Sequence, residues 1–383
     1  MKRYVFILIA LAGAVTFAQR ATQDSQTPPS AQGQEQVRGR GGRGAMTPEQ
    51  REALAKQEAL EKDLPQLQYD TKELPLVVPN HTIGETEGVA FNSQKHLFVF
   101  TRSGNSGPAR GANASQLFEF DPTGRFVKEW AKDAYGLAFA HAVKVDKEDN
   151  VWVVDEGSSM VIKMNPQGRV TMVLGRKPEA IDYLERFLER GEKDETRFPV
   201  GSPNNFNRPT DVTWDTNGNI FVSDGYGNSR VAKFSKEGDW VKALGTHGNG
   251  PNQFSTPHAI ASDAKGNIYV ADRGNNRIQV FDPDLNPVRI ISNVRSPWAI
   301  CVTPGPTQYL YSADAQTGHI YKDDLEGKPL GYFGTTGKRV GQFYWVHQMA
   351  CPSENEIYTG EAQNWRVQHV SLKPTTHQTS NGQ

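Results

Sequence analysis

Cysteine is scarce, with two residues in a chain of 383, too few for a disulfide scaffold. Charge of one sign is equally scarce. Lys and Arg total 42 against 43 Asp and Glu, a formal net charge of −1, which leaves nothing to attract nucleic acid or an acidic membrane surface. Long apolar stretches are missing after the first residues. Tyr4 to Phe17 is almost wholly apolar but too short to span a bilayer comfortably, and it follows Lys2 and Arg3. It reads as a secretory signal (1–18), with a small-x-small cleavage site at Thr16-Phe17-Ala18. No cysteine follows it, so no lipid anchor is expected there. A periplasmic or extracellular location follows, with no stable membrane insertion after cleavage.

Apolar residues are also few from Gln19 to Ala45, where Gln, Gly, Arg, Ser and Pro dominate. Such a segment cannot bury enough surface to offset its ordering entropy, and residues 19–70 are expected to form a disordered tether with one short helix. Thr47 can cap that helix, Pro48 suits its first position and Gln50 can close a capping box. Residues 376–383 are expected to be a disordered tail.

What is present is repetition. Two clear copies of one pattern are RPTDVTWDTNGNIFVSDGYGNSRVAKFSKEG from Arg208 and TPHAIASDAKGNIYVADRGNNRIQVFDPD from Thr256. Weaker copies begin at Glu87, His141, Pro297 and Val346. Each unit carries four short strand signals separated by turn residues, such as Asp263-Ala264-Lys265-Gly266-Asn267 and Gly274-Asn275-Asn276. Units of this length with four strands predict an all-β, six-bladed β-propeller over residues 71–375. The last unit stops after RVQHVSL, so a strand from the N-terminal side, Glu73 to Val78, is expected to close the sixth blade. The longest gap between units holds an insertion, Pro178 to Pro199, whose Ala180 to Leu188 has helical spacing.

Aligned copies give six equivalent anchors: Glu87, His141, Thr210, His258, Trp298 and His347. Histidine occupies every second one, which in a closed ring sets three imidazoles about 120° apart around the axis. In an antiparallel meander, the start of the first strand and the end of the second share one end. One rim should therefore hold His141, His258, His347, Glu87, Arg102, Tyr226 and Arg273. Three neutral imidazoles with an open fourth position suit a catalytic zinc. The competing reading is three rim histidines bonded to backbone carbonyls. Arg102 and Arg273 could bind a carboxylate bidentately or form surface ion pairs. Tyr226, flanked by Gly225 and Gly227, could act as a general base beside a dication or as a packing aromatic. Asp224 and Asp272 read as partners of Arg230 and Arg277 within their repeats. Cys301 and Cys351, in adjacent blades, can form a disulfide or remain two buried thiols.

The unit pattern NIYVADRGNNRIQVFD resembles NHL repeats. The combination FNRPTDV, SDGYGNSRV, GPNQFSTPHAIA and VADRGNNRIQVF is similar to the catalytic propeller of peptidyl-α-hydroxyglycine α-amidating lyases. The resemblance implies that His141, His258 and His347 hold zinc, that Tyr226 is the catalytic tyrosine and that Arg102 and Arg273 are the active-site arginines. It implies cleavage of a carbinolamide C–N bond to an amide and glyoxylate, on a small peptide or a related hydroxy-acid-derived substrate. The animal enzymes have a cysteine beside the tyrosine, where Gly225 and Gly227 stand here. Gln348 stands where they have an aspartate associated with structural calcium, which argues against a channel calcium while leaving it open. Tether and propeller account for this chain, so no hydroxylating monooxygenase is expected within it. Two alternatives compete: a non-catalytic NHL propeller binding protein or glycan, and a calcium-dependent lactonase-like hydrolase suggested by Glu87.

Overall fold

The structure, a computed structural model, describes residues 48–103, 115–177, 205–292 and 294–373. The expected signal segment, most of the tether, the insertion at 178–199 and the C-terminal tail lie outside the described residues. The described residues belong to one compact unit.

Six four-stranded antiparallel sheets make a six-bladed β-propeller. The innermost strands of blades one to six are Glu85–Phe91, Ala140–Val145, Asp211–Trp214, Pro257–Ser262, Pro297–Val302 and Val346–Ser353. The units repeat because one four-stranded sheet cannot bury both its faces alone. Each blade buries its apolar residues against the next. Phe98 and Leu117 of blade one meet Val143, Val153 and Ile162 of blade two. Trp152 and Val154 of blade two meet Val212, Val222 and Phe234 of blade three. Second strands such as Ile220–Asp224 and Ile268–Asp272 are buried at every position, as strands covered on both faces must be. Outermost strands such as Pro287–Ile291 are largely exposed.

The N-terminal side of the chain closes the sixth blade, but with a different segment from the expected Glu73 to Val78. Tyr69–Glu73 pairs with Arg366–Leu372, from Tyr69 opposite Leu372 to Glu73 opposite Gln368. Tyr69 decides the register. Its ring packs 5.1 Å from that of Phe333, and its hydroxyl donates to Gly341 O at 2.8 Å. Pro75 has no N–H for a ladder, and Val77 is 72% exposed. Closure covers the edge that Arg366–Leu372 would otherwise present and gives the blade its fourth strand. A helix, Pro48–Glu61, precedes it. Its last residue, Glu61, accepts from the Tyr321 hydroxyl and lies 3.0 Å from His319 Nδ1 in blade five. Cys301 and Cys351 form a disulfide between the innermost strands of blades five and six.

Candidate active site

The anchors share a backbone device that the sequence does not announce. At the start of five innermost strands the pairing skips one residue. Gly88 follows Thr86 in the ladder, Ala142 follows Ala140, Ala259 follows Pro257, Ala299 follows Pro297 and Gln348 follows Val346. The skipped residues are Glu87, His141, His258, Trp298 and His347. Each is the extra residue of a β-bulge, which releases it from the ladder and re-aims its side chain.

Three imidazoles thereby converge. Ring centroids of His141, His258 and His347 lie 4.7, 4.5 and 4.9 Å apart, and one ring nitrogen from each falls within 4.8 Å of the others. All three residues are buried, with 5% exposure at most. Each Nδ1 faces a backbone carbonyl: Thr210 O for His141, Trp298 O at 2.7 Å for His258, and Glu87 O at 2.9 Å for His347. A carbonyl only accepts, so Nδ1 carries the proton and the neutral ring keeps its lone pair on Nε2. The carbonyl contacts of the competing reading therefore exist, and they orient the rings as outer partners orient metal-binding histidines. Burial, followed by neighbouring positive charge, holds His141 and His258 well below the usual imidazole range. These three residues could bind a metal ion, and the donor set fits zinc.

Tyr226 caps the trio. Its hydroxyl lies 3.1 Å from His258 Nε2 and 3.4 Å from His141 Nε2. Its loop is pinned by the wholly buried Asp224, which accepts from Asn207 N, Asn228 Nδ2 and Arg230 Nε. Gly225 is required, because a Cβ there would stand 2.1 Å from Pro257 O. Burial pushes the phenol up, against the pull of Arg273.

The two expected arginines reach the same rim in different states. Arg102 is already engaged. It donates to Ala140 O at 2.8 Å and lies 3.4, 3.2 and 3.5 Å from carboxylate oxygens of Glu85, Glu87 and Glu156. Arg273 stacks over Trp298 at 4.2 Å and over Tyr226 at 5.5 Å. Among the described residues it makes no ion pair. Sequence reasoning missed Arg208 and its partner Glu156. Arg208 Nε donates to Glu156 Oε1 at 2.7 Å, and its guanidinium lies 4.5 Å over the Tyr226 ring. The only trace in the chain is its place in FNRPTDV. Asp224 and Asp272 do pair with Arg230 and Arg277, at 3.0 and 2.8 Å.

Residues deeper in the propeller do not fit calcium. Gln348 Oε1 accepts from Val89 N and Val143 N, and its Nε2 donates to Val143 O at 3.0 Å. The buried Asp211 lies 3.3 Å from Lys144 Nζ, which also donates to Ile260 O at 3.2 Å. Asp211 thus already has an ammonium beside it, and the Gln348 amide is committed to backbone.

The NHL-repeat family model matches residues 206–234 and 254–281, in blades three and four. A probable peptidyl-α-hydroxyglycine α-amidating lyase of Caenorhabditis elegans is 30% identical over 46% of this chain and 49% of its own. The peptidylglycine α-amidating monooxygenase of Rattus norvegicus is 27% identical over 76% of this chain and 30% of its own. The chain thus spans about half, or less, of the length of these relatives. Among solved structures, a gluconolactonase of Xanthomonas campestris superposes with a TM-score of 0.53 at 14% identity, covering 81% of this chain and 95% of its own. Virginiamycin B lyase of Staphylococcus aureus gives 0.51 at 12%, covering 80% and 100%. At such identity these two speak for the fold alone. Fold, repeats and relatives agree: the chain is a six-bladed β-propeller with NHL repeats in blades three and four, and it is similar to the peptidyl-α-hydroxyglycine α-amidating lyases.

Proposed function

We propose that this protein is a secreted, metal-dependent carbon–nitrogen lyase that splits an N-acyl-α-hydroxyglycine into the amide and glyoxylate. The observation that carries this reading is the convergence of three imidazoles on one point, with the Tyr226 hydroxyl 3.1 Å from the nearest of their Nε2 atoms. His141, His258 and His347 would hold zinc, which supplies polarisation of the substrate oxygens and favours ionisation of a neighbouring phenol.

The remaining work falls to side chains. Tyr226 Oη, ionised to the phenolate, would take the proton of the substrate hydroxyl. The O–H electron pair then forms the aldehyde carbonyl as the C–N bond breaks, and the nitrogen leaves with the proton returned by the same phenol. Arg273 is the guanidinium left to grip the substrate carboxylate, since Arg102 is occupied by three protein carboxylates. Trp298, stacked under Arg273, holds that guanidinium flat against the rim. Arg208, held by Glu156, packs over the Tyr226 ring. Three nitrogen donors suit a zinc-class ion better than calcium, so the lactonase-like alternative gains no support from the donor set.

The test is chemical. Metal-loaded protein incubated with an N-acyl-α-hydroxyglycine should release glyoxylate and the amide in equal amounts, faster than buffer alone. Bound metal with no glyoxylate above the buffer rate would remove the lyase assignment.

A further inference from the structure

A fourth potential donor, an acidic one, stands beside the histidine trio at His347. Glu87 occupies the blade-one anchor, bulged like the three histidines, and is wholly buried. Its Oε2 lies 3.0 Å from His347 Nε2, and its Oε1 lies 3.2 Å from Arg102 Nη1. Neither oxygen has a partner in hydrogen-bond geometry. Leaving a buried carboxylate so poorly bonded is costly.

The contact with His347 is the informative one. That ring has its Nδ1 proton committed to the carbonyl of Glu87 itself, at 2.9 Å. Its Nε2, the ring nitrogen left to bind a metal, therefore faces a carboxylate oxygen. A cation held between these two atoms, 3.0 Å apart, would serve both. Arg102 does not, since it meets the other oxygen and has Glu85, Glu156 and Ala140 O besides. Two donors at this separation subtend about 90° at an ion ~2.1 Å from each, which is an ordinary bond length to imidazole nitrogen or carboxylate oxygen.

Resting on the metal reading above, we propose that Glu87 supplies a carboxylate oxygen as a fourth protein ligand, making a three-histidine, one-glutamate centre. Two consequences follow. An angle near 90° between neighbouring donors suits a five- or six-coordinate ion, leaving positions for substrate oxygens. The carboxylate also cancels one of the two charges on a bound dication, so capture of an anionic substrate falls more heavily on Arg273.

The experiment is a Co(II) titration of the wild type and of Glu87→Gln, followed by the visible spectrum and by affinity. Glu87→Gln keeps shape while weakening the donor. The wild type should bind one Co(II) with the weak bands of a five- or six-coordinate ion. Glu87→Gln should change band position and intensity and lose more than about tenfold in affinity. An unchanged spectrum, even with weaker binding, would reduce Glu87 to a positioning residue and overturn the proposal while sparing the histidine site. Failure of the wild type to take up Co(II) would remove both. Should Glu87→Gln not fold, a metal-loaded crystal of the wild type decides: a Glu87 oxygen ~2.1 Å from the ion supports ligation, and one well outside bonding distance refutes it.

Discussion

The phenol oxygen of Tyr226 lies 3.1 Å from Nε2 of His258, on the side of the imidazole that its carbonyl-bonded Nδ1 leaves open. This pairing puts the candidate proton carrier at the point where the three histidines converge. Tyr226→Phe keeps the ring against Arg208 and Arg273 and removes only the hydroxyl. Glyoxylate release is expected to fall at least about 100-fold, with metal content unchanged. Loss of metal along with activity would instead give the hydroxyl a structural part in the site.

How far the chain announced this arrangement depends on the residue. The six anchors were readable because a propeller repeats its register, so a histidine in one unit can be compared with its equivalents. The rim assignment of Arg102, Tyr226 and Arg273 followed from strand ends alone. The bulges that turn Glu87 and the histidines inward left no trace, since a bulge is a backbone event that alters no composition. Arg208 escaped notice because its partner Glu156 is 52 residues away, a pairing only the closed ring creates. The closing strand was placed a few residues late because apolar Leu74 to Val78 outshone the polar YDTKE, whose single aromatic, Tyr69, fixes the docking.

Arg102 and Arg273 should respond differently to truncation. Arg102→Ala strips buried carboxylates of a partner and is expected to cost about 3–5 kcal/mol of stability, read by denaturant unfolding. Arg273→Ala should leave stability nearly unchanged and raise KM about 10- to 100-fold, the loss of one charge-assisted hydrogen-bonding group. Equal effects of the two on stability would contradict this division.

Asp323 offers a test of the scaffold remote from the chemistry. It is 1% exposed, and neither carboxylate oxygen has a hydrogen-bond partner among the described residues. Burial, then the nearby Asp324, pushes its carboxyl up to about 8 from the ordinary 3.8. Between these values the unfolded chain releases the proton and the folded chain keeps it. Stability from this residue is therefore greatest below the unfolded value and declines as pH rises toward the folded one. Asp323→Asn should raise the melting temperature by about 2 °C or more at pH 8 and much less at pH 4. The same gain at both values would show that the carboxyl ionises normally.

The Cys301–Cys351 disulfide spans 50 residues and staples blade five to blade six, the blade closed by the N-terminal strand. Reduction is expected to cost about 2–4 kcal/mol, seen as a lower melting temperature, while leaving metal content intact. An unchanged melting curve after complete reduction would show that the blade interface alone holds the ring shut.

Metal content of the purified chain, measured by elemental mass spectrometry beside His258→Ala, bears most directly on the central reading. About one dication per wild-type chain is expected, and nearly none in the variant. A folded His258→Ala that keeps the full metal content, or a wild type that takes up none when zinc is offered, would contradict it.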